Sequence, residues 1–379
     1  MILPSVRPAS IPLPAGFLLR VGDTDLGFVQ RADRGLIRGA ILSTRCLALA
    51  NGGFLLHTIR TLGIPFLMDP DTAVLVEVNA DNPRAAWLRA MPAAATITSL
   101  PIVPNDLAQD DALQTFATAV ASTQTDAAAM SAGYFRIASP DDAWRDINQR
   151  LLAAAIAIAA QRPVCAWLEL TLDSLREHDL ARVVAPDLAG AGLVVLRIAG
   201  LRATAATEDQ AFAVLDAVAA LRACGPQVVL DCVGTLGAAA LAVGALAFSN
   251  GVNHHRSVPV TRVHNRPPSA RALGYEVPLE FRQLPRDDAV RAVQDGDLDA
   301  CGVARCRALD RSVAKARRPA ALRVHYVHTA DLDAQFATHM GIGPLAAEMQ
   351  ASPDAGAQAW GRALERFASS ATASTHSPR

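Results

Sequence analysis

Aromatic residues make up only 5% of this 379-residue chain, and neither sign of charge prevails: 35 Lys and Arg stand against 36 Asp and Glu, a formal net charge of −1. The first shortage argues against a surface that reads single-stranded nucleic acid by stacking bases on aromatic rings. The second removes any global field that would recruit a polyanion or a membrane and leaves only local patches. Long apolar runs are missing as well. The longest uncharged ones, 151–160 and 236–248, fall short of the ~18–20 residues a membrane helix needs. Six scattered cysteines do not form a disulfide framework in a chain of this size. The opening MILPSVRPASIPLP, with four prolines and one basic residue, does not look like a secretory signal. These absences imply a reducing, cytoplasmic setting away from membranes. Neither G-x-G-x-x-G nor G-x-x-x-x-G-K-[ST] occurs, which argues against the open nucleotide-binding sheets.

What the chain does have is apolar substance, 51% hydrophobic residues with a mean hydropathy of +0.22, and a regular rhythm. Continuous apolar runs at 35–44, 64–68, 133–138, 163–170, 192–198, 227–231 and from 247 alternate with alanine-rich amphipathic stretches, and 275–284 reads as the last strand. Unbroken apolar runs mark parallel strands covered on both faces. Seven or eight such units, each roughly 30 residues long, favour a closed (β/α)8 barrel over an open doubly wound sheet. The expected division is an N-terminal extension with the first strands (1–34), the barrel (35–295), a C-terminal helical region (296–369) and a disordered tail (370–379).

Charged residues at the ends of these runs are the candidates for chemistry, because barrel enzymes work at the C-terminal ends of their strands. Asp69 and Asp71 follow the run at 64–68, and Asp231 ends the run at 227–231. Asp69, Asp231 and Glu169 are the candidate catalytic carboxylates, able to divide acid and base roles. For Asp69 and Asp71 the competing reading is turn formation around Pro70. Arg136, Glu169 and Arg197 each sit inside an apolar run, where a charge is expected to pair. A network of Arg136, Glu169, Arg197 and Asp231 can serve substrate or be a structural ion-pair layer. Arg136, Arg197, Ser249 and Asn250 are the candidate substrate-binding residues. His254 and His255 fall on a polar stretch that can bind metal or phosphate or be simply solvated. Between Arg305 and Arg323 seven basic residues accompany one acid, Asp310. Such a run can track a nucleic-acid backbone through Arg317 and Arg318 or form a solvated helix face.

The segment C-G-V-A-R-C at 301–306 has cysteines at positions 0 and 5, with His325 downstream in L-R-V-H-Y-V-H (322–328). This resembles the zinc motif of the tRNA-guanine transglycosylase family, C-x-C-x-x-C followed by a histidine on a helix, with Val303 at the place of the second ligand. The resemblance implies an irregular (β/α)8 barrel and a degenerate zinc site of Cys301, Cys306 and His325, with water, His328 or His339 as the fourth ligand. The competing reading is two small core cysteines. Asp69 matches the family's early aspartate, a general acid or base. Phe248-Ser249 falls where the family has Phe-Asp, so Ser249 stands in place of the nucleophilic carboxylate. The resemblance thus implies a protein that binds or acts on tRNA, another nucleic acid or a nucleoside, with base exchange altered or lost. Two other readings stay open: an unrelated barrel enzyme using its mouth carboxylates and arginines on a small molecule, and a non-catalytic binding protein. Homo- or hetero-oligomers are compatible with all three.

Overall fold

The computed structural model describes residues 11–32, 35–49, 51–77, 91–98, 100–251, 275–284, 288, 291 and 319–375. Eight parallel strands make one sheet: β1 (Gly16–Val21), β2 (Ala40–Ser43), β3 (Phe66–Asp69), β4 (Met130–Ser131), β5 (Val164–Thr171), β6 (Leu193–Ala199), β7 (Gln227–Asp231) and β8 (Ala247–Gly251). Their hydrogen-bonded order, β3-β2-β1-β8-β7-β6-β5-β4, is the chain order read around a circle. The remaining seam is joined where the Ala128 amide donates to the Phe66 carbonyl at 2.8 Å. The chain is a (β/α)8 barrel.

The period-2 alternation of the strands sorts their residues onto two faces. Phe17, Leu19, Leu42, Phe66, Met68, Leu168, Leu196, Val228 and Phe248 belong to the large core between barrel and helices. Leu18, Ile41, Leu67, Cys165, Trp167, Leu193, Val195, Val229 and Ala247 fill the inside. One step further toward the C-terminal ends, the same inward phase brings Arg20, Ser43, Asp69, Glu169, Arg197, Asp231 and Ser249, all buried. The barrel is therefore apolar through its lower layers and charged in its top one.

The principal helices on the outside are α1 (Gly52–Thr61), α2 (Asp110–Ala121), α3 (Ala143–Ala159), α4 (Leu172–His178), α5 (Glu208–Ala223) and α6 (Ala238–Ala242). Local sequence sets their starts. Asp142 accepts from the Trp144 amide ahead of α3, and Thr207 and Gln210 form a reciprocal capping box ahead of α5. Three more helices follow, α7 (Pro319–Met340), α8 (Ile342–Ala351) and α9 (Ala355–Thr375). No helix among the described residues is long and apolar enough to cross a membrane.

Four expectations from the sequence need correction. The barrel starts at Gly16, since β1 lies hydrogen-bonded between β2 and β8; the first strand expected within 1–34 thus belongs to the barrel, whose expected start at 35 is too late. With β1 counted, the eight strands are complete by Gly251. Residues 275–284 are accordingly not a barrel strand but an antiparallel hairpin, β9 (Tyr275–Val277) with β10 (Arg282–Leu284). The run at 133–138 is only partly strand: β4 ends at Ser131, and Ile137 alone bridges back to Leu170. Finally, α9 continues to Thr375, so residues 370–375 are helical rather than a disordered tail.

Candidate functional site

The charged top layer is a single network. Asp69 ends β3 and Asp231 ends β7, four strands apart and hence on opposite sides of the barrel. Two guanidiniums bridge them. Arg197 Nη2 lies 2.7 Å from Asp69 Oδ2 and 2.5 Å from Asp231 Oδ2, and Arg197 Nε donates to the same Asp231 oxygen at 2.9 Å. Arg20 Nη1 reaches Asp231 Oδ2 at 3.0 Å, and Arg20 Nη2 donates to Asp69 Oδ2. Tyr134 Oη donates to Asp69 Oδ1 at 3.1 Å and accepts from Arg197 Nη1. Ser249 Oγ donates to Asp231 Oδ1, its register partner on the neighbouring strand. Glu169 pairs with Arg136 Nε at 2.8 Å and lies 3.5 Å from Arg197 Nη1. Arg136 continues to Glu77 at 3.5 Å, and both of these rim side chains are partly exposed.

Aromatic rings line the network from below. The Tyr134 ring stacks on Trp167 with centroids 5.7 Å apart, and the Arg197 guanidinium lies 4.9 Å from the Trp167 centroid, a cation–π contact in a dry setting. Two of the six positive-φ non-glycine residues among the described residues flank the network. Asp71 and Cys232, one just beyond each aspartate, are non-glycine residues with φ of 49° and 65°. Such conformations cost free energy and gather at functional sites. At the first of them, Asp69 Oδ1 accepts the Asp71 amide at 2.8 Å. The turn role and the network role of Asp69 therefore coexist.

Burial alone would push the Asp231 carboxyl up; Arg20, Arg197 and the Ser249 hydroxyl outweigh it and hold the group below its ordinary 3.8. Burial likewise works against the charge on Arg20, yet Asp231 and Asp69 leave its pKa raised, and Arg197 behaves the same way, with Asp69 the strongest opposing influence. The Cys232 thiol is pushed up by burial and then by Asp231, so it is not a reactive thiolate. A stability consequence follows for Asp231. Its folded-state pKa is lowered, so its contribution is fully present above the unfolded value near 3.8 and is lost as pH falls through the lower folded value. Unfolding free energy measured against pH should drop in that acid window, and Asp231→Asn should flatten the drop; an unchanged slope would contradict the ionised assignment.

Of the residues singled out from sequence, Asp69, Asp231, Glu169, Arg136, Arg197 and Ser249 meet in this network. Asn250 does not. Strand alternation turns it away from Ser249, and its Nδ2 donates to Tyr326 Oη on α7. Cys301, Cys306, Arg317 and Arg318 lie outside the described residues, as do His254 and His255. His325 is buried in α7 with Nε2 3.5 Å from Thr329 Oγ1. Among the described residues no three His, Cys, Asp or Glu side chains are grouped to hold a metal ion. Sequence reading missed Arg20, Tyr134 and Trp167. Arg20 had a signal: it interrupts an apolar strand in GFLLRV much as Arg197 does in VVLR.

No family model matches the chain, and no curated protein does. Among solved structures it is similar to an intracellular xylanase from Thermoanaerobacterium saccharolyticum in complex with xylotetraose, at 8% identity and a TM-score of 0.35, over 70% of this chain and 95% of that one. It is also similar to nitroalkane oxidase from Streptomyces ansochromogenes, at 20% identity and a TM-score of 0.30, over 96% of this chain and 97% of that one. Likenesses at these levels say nothing about what this chain acts on.

Proposed function

We propose that this chain is a barrel enzyme of the base-exchange kind, acting on a nucleoside or nucleic acid as its resemblance to the tRNA-guanine transglycosylases implies, with Asp231 supplying the carboxylate that Ser249 lacks. One observation carries the reading. Asp231 is the direct register neighbour of Ser249 and accepts its hydroxyl, so a carboxylate stands one strand away from where the family has it. Displacement at an anomeric carbon by an enzyme carboxylate needs an anion poised to attack and a second carboxyl to move the proton. Asp231, held below its ordinary pKa, suits the first role and Asp69 the second. Both aspartates lie within hydrogen-bond reach of one nitrogen, Arg197 Nη2. The two bonded oxygens therefore stand closer than the about 6.5–9.5 Å that admits a water between two carboxyls, which leaves double displacement as the geometry to consider. During reaction the arginines would have to yield Asp231 to the sugar carbon while staying on Asp69.

The test is exchange of labelled guanine into tRNA, DNA or free nucleosides. Ser249→Ala should leave exchange measurable, Asp231→Asn should abolish it, and Asp69→Asn should slow it by about 10²–10⁴-fold. Loss in Ser249→Ala with retention in Asp231→Asn would overturn the assignment. Arg317→Ala with Arg318→Ala should weaken retention on tRNA and reduce its salt dependence. A non-catalytic reading is favoured by one specific observation, the mutual pairing of Asp69, Arg20, Arg197 and Asp231 in full burial. It stands if no exchange and no nucleic-acid retention occur at low salt.

A further inference from the structure

The barrel wall is interrupted at 132–137, and the interruption is built. After the Ala132 amide donates to Cys165, the chain leaves β5 and returns only where the Ile137 amide donates to the Glu169 carbonyl at 3.0 Å. Two side chains replace the missing ladder. Thr72 Oγ1 accepts the Tyr134 amide at 2.8 Å and donates to the Tyr134 carbonyl at 2.5 Å. Asn148 on α3 accepts the Phe135 amide at 2.8 Å and donates to the Phe135 carbonyl at 2.7 Å. Buried backbone groups off the ladder need such partners. Thr72 is itself fully buried. A detour satisfied on both flanks holds the adjacent residues Tyr134 and Phe135 in opposite directions, the first into the charged layer and the second into the core beneath α2 and α3.

We propose that Tyr134 is a positioning residue of the mouth, delivered by this detour to hold the Asp69 carboxyl in place as a proton acceptor. The Tyr134 hydroxyl donates to Asp69 Oδ1 while accepting from Arg197. Together with the Asp71 amide on Oδ1 and the two guanidiniums on Oδ2, it surrounds Asp69 with donors, and hydrogen bonds to the charged form favour that form. Asp69 thus serves as base in the second displacement, taking the proton of the incoming base, while the base displaced first leaves as its anion and takes a proton from solvent. The proton acceptance of Asp69 would be tied to Tyr134 through one shared oxygen. This role rests on the proposed use of Asp69 in exchange, but the hydroxyl's hold on the carboxylate is measurable without any activity.

The measurement is isotope-edited infrared spectroscopy of protein labelled with carboxyl-13C aspartate. The Asp69 band is isolated as wild type minus Asp69→Asn. Tyr134→Phe removes one hydroxyl, and it should shift the Asp69 carboxylate stretch at neutral pH. Thr72→Val, which frees the backbone of Tyr134 but keeps its hydroxyl, should shift the same band, and Thr72→Ser should restore it. An Asp69 band unmoved in Tyr134→Phe overturns the proposal, even where thermal stability falls, because that is what a purely packing role predicts. If exchange activity is found, Tyr134→Phe should lower kcat with KM little changed. A shifted band in a protein without exchange activity would leave the positioning role intact and count against the base-exchange reading alone.

Discussion

Arg197→Met is expected to lower the unfolding free energy by about 3–5 kcal/mol, read as a fall in the urea midpoint at unchanged slope. The methionine would fill much of the volume, so packing is not the main loss. The loss comes from Asp69 and Asp231, both fully buried, which would share Arg20 as the remaining guanidinium of the pair that bridges them. Breaking one partner of a buried ion cluster strands charge in a low-dielectric interior, whereas removing all partners together does not. The combined variant Arg20→Met, Arg197→Met, Asp69→Asn, Asp231→Asn should therefore be much more stable than the sum of its single changes predicts, since contacting residues are not additive. A combined variant near wild-type stability would mean the network is kept for something other than stability. Additive losses would mean that these four charges do not act as a unit.

Trp360→Ala is expected to cost about 3–5 kcal/mol in a single unfolding transition. Trp360 is the largest fully buried side chain on α9, and its indole N–H donates to the Ala203 carbonyl at 3.1 Å. Around it, α9 meets α5 through Arg362–Glu208 at 3.2 Å and Arg366–Asp209 at 2.8 Å. At Gly356 a Cβ would come within 2.5 Å of the Thr204 carbonyl, so the helix sits against the barrel's own loop. The exposed ion pairs contribute little; the tryptophan and the close packing hold the helix. If the C-terminal helices were an independent unit, Trp360→Ala would melt them first and leave the barrel transition in place. A two-step melt would show that.

Much of the fold was legible because parallel strands buried on both faces are unbroken apolar runs, and β5, β6 and β7 lie within two residues of where those runs stand. Misreadings came where local pattern and pairing part company. GFLLRV after a proline-rich start carries the same pattern as any strand, but only its hydrogen bonds to β2 and β8 make it part of the barrel. GYFRIA has the composition of a strand, yet Thr72 and Asn148, distant in sequence, take over its backbone. The candidate carboxylates and arginines were visible for a different reason: a charge inside an apolar run is costly unless paired, so each one announced itself. Their partners did not. Nothing in the order of residues says that Asp69 and Asp231 lie across the barrel from each other and meet on Arg20 and Arg197.

What the sequence determined by itself is the alternation of buried strands and helices, and with it the barrel, because hydrophobic periodicity acts over a few residues and is written locally. Which charges share the top layer, which hydroxyl reaches Asp231 and which detour brings Tyr134 to Asp69 were decided only by the closed barrel. Closure puts strands four apart face to face across a narrow interior, where a buried charge must find its partner among residues up to 211 positions away, as Arg20 and Asp231 do.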